Sequence, residues 1–129
     1  MARAREVSRA ACPRNRYYTA HHDQNVDPST PQGARVYSML MYLNEPDAGG
    51  GTAFNDLGGL VVAPRKGRAV LWPNVMADNV TLPELRAHHE SLPVTRGVKL
   101  AANLWLHAFE YRTLREQSCV AAHMQQAQR

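Results

Sequence analysis

The chain has 129 residues, enough for one domain that buries roughly two-thirds of its unfolded surface. Its 44% hydrophobic and 20% charged residues describe an ordinary globular protein and exclude a disordered one, and no apolar run nears the roughly 20 residues of a membrane span. Fifteen basic against eleven acidic residues leave a charge of +4, but the basic residues are spread along the chain, so no nucleic-acid partner is expected.

Residues 2–12 have weak helical character, and MARAREVSRAAC lacks the apolar centre of a secretory leader. RVYSMLMYLN (35–44) is rich in β-formers and predicts a strand. EPDAGGG (45–51) is dense in breakers and predicts a loop. TAF leads into a turn at NDLGG, then LVVAP (60–64), a tight turn at RKG, and a strand at RAVLWP (68–73) closed by proline. Residues 74–87 read as irregular, with one helical turn around PELRA. Pro93 breaks the next segment, and GVKLAANLWLH (97–107) predicts the last long strand. The tail over 114–129 is polar and peripheral, and Cys12 and Cys119 read as free thiols. Short strands between Gly/Pro turns, with almost no helical period, predict an all-β sandwich or barrel with minor helix.

One short stretch carries chemistry. In YYTAHHDQN, side chains of an extended segment alternate between two faces, so His21 and Asp23 share a face and His22 points away. One imidazole and one carboxylate supply two members of a two-histidine, one-carboxylate metal set, which leaves coordination positions open for reaction. A third ligand must come from His88, His89, His107 or His123. An isolated His-x-Asp arises readily by chance, and it gains meaning only from its surroundings.

Those surroundings form an ordered series: Tyr18, His21 and Asp23 as YxxHxD, then RVYSMLMYLN, GGGTAF, VVAPRKGRAVLW, HHESLPVTRGVK and NLWLH. From about Tyr17 to Thr113 this series resembles the catalytic domain of prolyl 4-hydroxylases, within the 2-oxoglutarate and Fe(II)-dependent dioxygenases. The resemblance implies a double-stranded β-helix, a distorted jelly roll, with the whole chain 1–129 as a single domain. The segment before His21 is shorter than the family's usual one, so part of the N-terminal support of the sheet is expected to be missing and a sheet edge exposed.

Carried onto this chain, the resemblance implies that His21, Asp23 and His89 hold the metal, His89 standing four places before Pro93 and ten before Lys99. His22 and His88 become bystanders, and His107 becomes structural. Lys99, in an otherwise apolar strand, is implied to anchor the distal carboxylate of 2-oxoglutarate, with Thr52 and Tyr42 as further partners. Trp72 and Trp105 read as core aromatics beside the pocket. The implied cofactors and co-substrates are Fe(II), 2-oxoglutarate, O2 and ascorbate, and the implied partner is a proline-containing protein or peptide arriving extended. A secretory location is common in the family, although no leader or anchor is visible here. Alternative readings are a related dioxygenase with another substrate, or a truncated, non-catalytic fragment that binds peptide.

Overall fold

A computed structural model of the protein describes residues 17–24, 27 and 29–110. The helical segment read over 2–12, both cysteines, His123 and the tail over 114–129 lie outside the described residues. Within them the chain forms strands β1 (Tyr18–His21), β2 (Arg35–Tyr42), β3 (Ala48–Gly49), β4 (Thr52–Phe54), β5 (Leu60–Val62), β6 (Ala69–Pro73), β7 (His89–Ser91), β8 (Val94–Arg96) and β9 (Ala101–His107). The only helical element among the described residues is a 3-10 turn at Leu85–Ala87. The all-β expectation is met.

All strand pairs are antiparallel, in a four-stranded sheet ordered β1-β7-β4-β5, a three-stranded sheet ordered β6-β2-β9, and a short β3-β8 ribbon. Strand β1 is the outer member of its sheet among the described residues. The two larger sheets turn their inner faces toward each other. Strand β2 shows why: alternation puts Ser38, Leu40 and Tyr42 on the inner face and leaves Tyr37 on the outer one. Phe54, Trp72 and Ala87 close the core, with Leu40, Val62 and Val70 against them. Phe54 of β4 meets Trp72 of β6 edge to face at 5.4 Å, one aromatic from each sheet.

Two local expectations need correction. The glycine-rich loop over 45–51 contains β3, because Gly49 at φ 77° brings its backbone against Pro93 and lets Ala48 and Gly49 pair with β8. Pro93 breaks its segment as expected, standing between strands β7 and β8. The last strand begins at Ala101 rather than Gly97. Gly97 turns at φ 86°, and the Asn44 side chain donates to the Val98 carbonyl at 2.8 Å and accepts from the Leu100 N–H at 2.6 Å. A side chain thus takes up backbone groups that a neighbouring strand would otherwise bind.

Candidate metal centre

Strand pairing builds the site. His21 lies opposite His89 across the β1–β7 ladder, and their rings stand 4.3 Å apart. Asp23 follows the end of β1 and is buried beneath them. One donor atom each from His21, Asp23 and His89 fall within 4.8 Å of one another. His21 Nε2 is 3.5 Å from Asp23 Oδ1, and His89 Nε2 is 3.9 Å from Asp23 Oδ2.

Backbone carbonyls set the direction of both rings. His21 Nδ1–H donates to the Thr19 carbonyl at 2.8 Å, and His89 Nδ1–H donates to the Ala87 carbonyl at 3.0 Å. A carbonyl only accepts, so in the neutral ring each Nδ1 carries the proton and each Nε2 keeps its lone pair toward Asp23. This is how histidines are oriented when they bind metals. Around His89 the setting is apolar: Trp72 lies 4.7 Å and Phe54 5.7 Å from its ring. Tyr18, exposed, stands nearly perpendicular to the ring of His21, their centroids 4.2 Å apart.

The charges are sorted among the three groups. Burial alone would raise the Asp23 pKa, but bonds from His21 and Ser38 and the nearby charge of His89 overcome it and bring the carboxyl down to about 2. Burial disfavours a charged His21, yet the bond that the protonated ring gives Asp23 through Nε2–H, the Thr19 carbonyl and the Asp23 charge outweigh it and raise its pKa. For His89 burial dominates, and its pKa lies below the ordinary histidine value. The result is one anion with two imidazoles, a donor set of nitrogen and carboxylate oxygen that suits a divalent transition metal such as Fe(II).

The other histidines point elsewhere. His22 Nε2–H donates to the Glu84 carbonyl at 2.9 Å while its Nδ1 accepts from the Gln24 N–H at 3.0 Å, so both nitrogens are engaged. His88 is half-buried, 3.7 Å from Asp56 and 5.4 Å from the His22 ring. His107 faces the Gly33 carbonyl at 3.4 Å, outside the cluster.

A second polar group extends along the same inner face. Thr52 lies opposite Ser91 in the β4–β7 pairing, and both are on the face that carries His89. Lys99, only 8% exposed, donates to Ser91 Oγ at 3.0 Å and stands 5.5 Å over the Tyr42 ring. Tyr42 OH and Thr52 Oγ1 are 2.7 Å apart, and both side chains are buried. Lys99, Thr52 and Tyr42 therefore come together, although Lys99 sits in the segment leading into β9 rather than on the strand.

Sequence reasoning missed Ser38, Asn74 and Ser91. Ser91 had a signal, two places after His89 on one strand face. Ser38 had one too, as the one small polar residue in its strand, at an inward position. Asn74, behind a proline in an irregular segment, had none.

A sequence model of the 2OG-Fe(II) oxygenase superfamily matches residues 6–107. The chain is 35% identical over 97 residues to prolyl 4-hydroxylase subunit alpha-2 of Caenorhabditis elegans, covering 70% of this chain and 17% of that protein. It is 37% identical over 75 residues to the Homo sapiens alpha-1 subunit, covering 58% of this chain and 14% of that protein. The crystal structure of the viral collagen prolyl hydroxylase of Paramecium Bursaria Chlorella virus-1, in a 2OG complex, superposes with a TM-score of 0.66 at 29% identity, over 78% of this chain and 56% of that one. The chain thus spans less than a fifth of these two subunits and about half of the viral enzyme.

Proposed function

This chain belongs to the 2OG-Fe(II) oxygenase superfamily, and from that membership we propose that it is a prolyl 4-hydroxylase-like dioxygenase acting on a peptidyl proline. We propose the whole chain as a single oxygenase domain. His21, Asp23 and His89 hold Fe(II), and Lys99, Thr52 and Tyr42 bind the distal carboxylate of 2-oxoglutarate. The observation that carries this reading is the pair of fixed imidazoles, each with Nε2 turned toward one buried carboxylate.

With Fe(II), 2-oxoglutarate and O2 bound, the centre supplies hydroxylation of a C–H bond coupled to decarboxylation of the co-substrate to succinate and CO2, with ascorbate keeping the iron reduced. The protein's part is positioning. Asp23 offers an anion without needing to lose a proton at neutral pH, and the Thr19 and Ala87 carbonyls keep both Nε2 atoms available. Lys99 supplies the cation that a buried carboxylate requires, since an unpaired buried charge is very costly. Thr52 and Tyr42 supply hydroxyls beside it. Two residues of extended strand, about 7 Å, separate His89 from Ser91. A five-carbon dicarboxylate with its keto-acid end at the metal is long enough to reach Lys99 across that interval. Phe54 and Trp72 keep water away from the His89 side.

At the other side of the metal group stands Tyr18, an exposed aromatic against His21. Extended proline-rich peptides dock on aromatic-lined grooves because their backbone is already ordered, and Tyr18 offers such a surface next to the reacting centre. The test is Fe(II)-dependent succinate release with a proline-rich peptide, together with mass analysis of that peptide. A gain of one oxygen on proline, lost in His89→Ala, is the expected result. Succinate release without peptide oxidation would move the reading to another substrate. No 2-oxoglutarate binding by folded protein would leave a non-catalytic fragment.

A further inference from the structure

Behind the metal group lies a chain of three buried polar side chains from distant parts of the sequence. Ser38 of β2 donates to Asp23 Oδ2, and Asn74 Nδ2 donates to Ser38 Oγ at 2.8 Å. Asp23 is 3% exposed, and Ser38 and Asn74 are fully enclosed. The directions of these bonds are forced. Ser38 Oγ donates to Asp23 Oδ2, so its single hydroxyl proton is spent there. Ser38 then has only lone pairs for Asn74, which must present its amide nitrogen.

Keeping that orientation has an adverse side, because Asn74 Oδ1 is buried without a hydrogen-bond partner. Turning the amide over would place Oδ1 against Ser38 and draw the hydroxyl proton away from Asp23. The backbone of Asn74 is fixed as well. Its N–H donates to the Val36 carbonyl of β2 at 2.9 Å, and its carbonyl accepts from the Glu84 N–H at 3.0 Å. Glu84 in turn precedes the turn Leu85–Ala87, whose Ala87 carbonyl orients His89. Asn74 thus joins the strand that carries Ser38 to the segment that aims a histidine.

With His21, Asp23 and His89 taken as the metal ligands proposed above, we propose that Asn74 is a positioning residue of that centre: by donating to Ser38 it holds the hydroxyl proton on Asp23 Oδ2 and leaves Oδ1, the oxygen beside His21 Nε2, to meet the metal. Asn74 acts through Ser38 and touches no ligand of the metal itself. Two consequences follow for substitution. Losing Ser38 frees Oδ2 and lets the carboxylate turn. Losing Asn74 frees the Ser38 hydroxyl to rotate, with a weaker form of the same effect.

The experiment is an anaerobic Co(II) titration of the full chain, read by the visible absorption of the bound ion, on wild type, His21→Ala, Ser38→Ala, Ser38→Thr, Asn74→Ala and Ser38→Ala/Asn74→Ala. Metal-free thermal unfolding is recorded beside it. Partners of metal ligands commonly change affinity by 10- to 100-fold, so Ser38→Ala and Asn74→Ala are each expected to weaken Co(II) by roughly tenfold and to alter its spectrum. Ser38→Thr is expected to bind as wild type does. The double variant is expected to be no weaker than Ser38→Ala, since Asn74 has nothing left to act through. Asn74→Ala that unfolds earlier but binds Co(II) with unchanged affinity and spectrum would overturn the proposal, as would full additivity in the double variant. Should Asn74→Ala fail to fold, Ser38→Ala decides, because it removes one oxygen and little volume: an unchanged Co(II) affinity overturns the proposal. His21→Ala separates the two readings. If it binds as tightly as wild type, the metal assignment itself falls, and Asn74 with it. If it loses binding while Ser38→Ala and Asn74→Ala keep theirs, only the role of Asn74 falls.

Discussion

Lys99→Met tests the co-substrate assignment most directly. Methionine keeps an unbranched side chain of similar length and removes the charge, and the site is buried enough that water does not replace the lost cation. A hydrogen bond to a charged group contributes about 1.5–3 kcal/mol net, so 2-oxoglutarate is expected to bind roughly 10- to 150-fold more weakly. The assay is calorimetric titration of the Co(II)-loaded protein with two ligands. One is 2-oxoglutarate. The other is 2-oxobutanoate, which keeps the keto-acid end and lacks the distal carboxylate. The variant is expected to lose affinity for the first and none for the second, because only the first has a group for Lys99 to bind. Equal weakening of both ligands would show that Lys99 acts on the fold or the metal end, and unchanged affinity for both would remove it from the site. Ser91→Ala, which takes away the hydroxyl 3.0 Å from Lys99 Nζ, is expected to weaken 2-oxoglutarate by a smaller factor in the same experiment, on the order of fivefold for one ordinary hydrogen bond.

Other expectations concern stability and pH. Gly49→Ala drives a Cβ into the Pro93 carbonyl at φ 77° and should lower the urea midpoint by more than Gly58→Ala, where φ is 66° but nothing lies within 4 Å. The second change carries only the left-handed backbone cost, about 1–2 kcal/mol; equal losses would refute the contact argument. Trp72→Ala, at a 6% exposed position against Phe54 and His89, is expected to destabilise metal-free protein by about 3–5 kcal/mol in chemical denaturation. A loss below about 1 kcal/mol would mean the two sheets are not held together there. His107 has its pKa lowered by burial, which outweighs the Gly33 carbonyl, with Arg35 adding to the lowering. The unfolded chain therefore binds a proton more readily than the folded one. Stability present above the unfolded value, near 6.5, is lost as pH falls through the folded value. His107→Gln should flatten the fall in urea midpoint between neutral pH and pH 5, and an identical slope in both proteins would count against the assignment.

Much of this was legible in the chain because strands leave a period of two. That period alone puts His21 and Asp23 on one side and His22 on the other, and His22 indeed has both ring nitrogens turned to the backbone. Strand β2 was legible for the same reason, since RVYSMLMY is long and rich in β-formers. The short strands were not. β3 depends on a glycine at positive φ that meets a partner some 45 residues away, and no local pattern announces such a pairing. The apolar neighbours of Lys99 predict a strand there, but Asn44, distant in sequence, captures the backbone on either side of it. Asn74 was invisible for a related reason. Its importance comes from three tertiary contacts, with Ser38, Val36 and Glu84, and none leaves a trace in the residues beside it.

The two imidazoles share a device that has an evolutionary consequence. Each ring is steered by the peptide carbonyl two positions upstream in its own segment, Thr19 for His21 and Ala87 for His89. Main-chain oxygens are present whatever the codon specifies, so replacing the side chains at 19 and 87 cannot delete the steering groups. The carboxylate arm has no such protection, because Asp23 is held by the side chain of Ser38, and that by Asn74. Drift or engineering of metal preference thus has a handle in the side chains that hold the carboxylate. A saturation scan of the residues steering the ligands would find the nitrogen ligands insulated and the oxygen ligand tunable, with heritable variation gathering at positions 38 and 74.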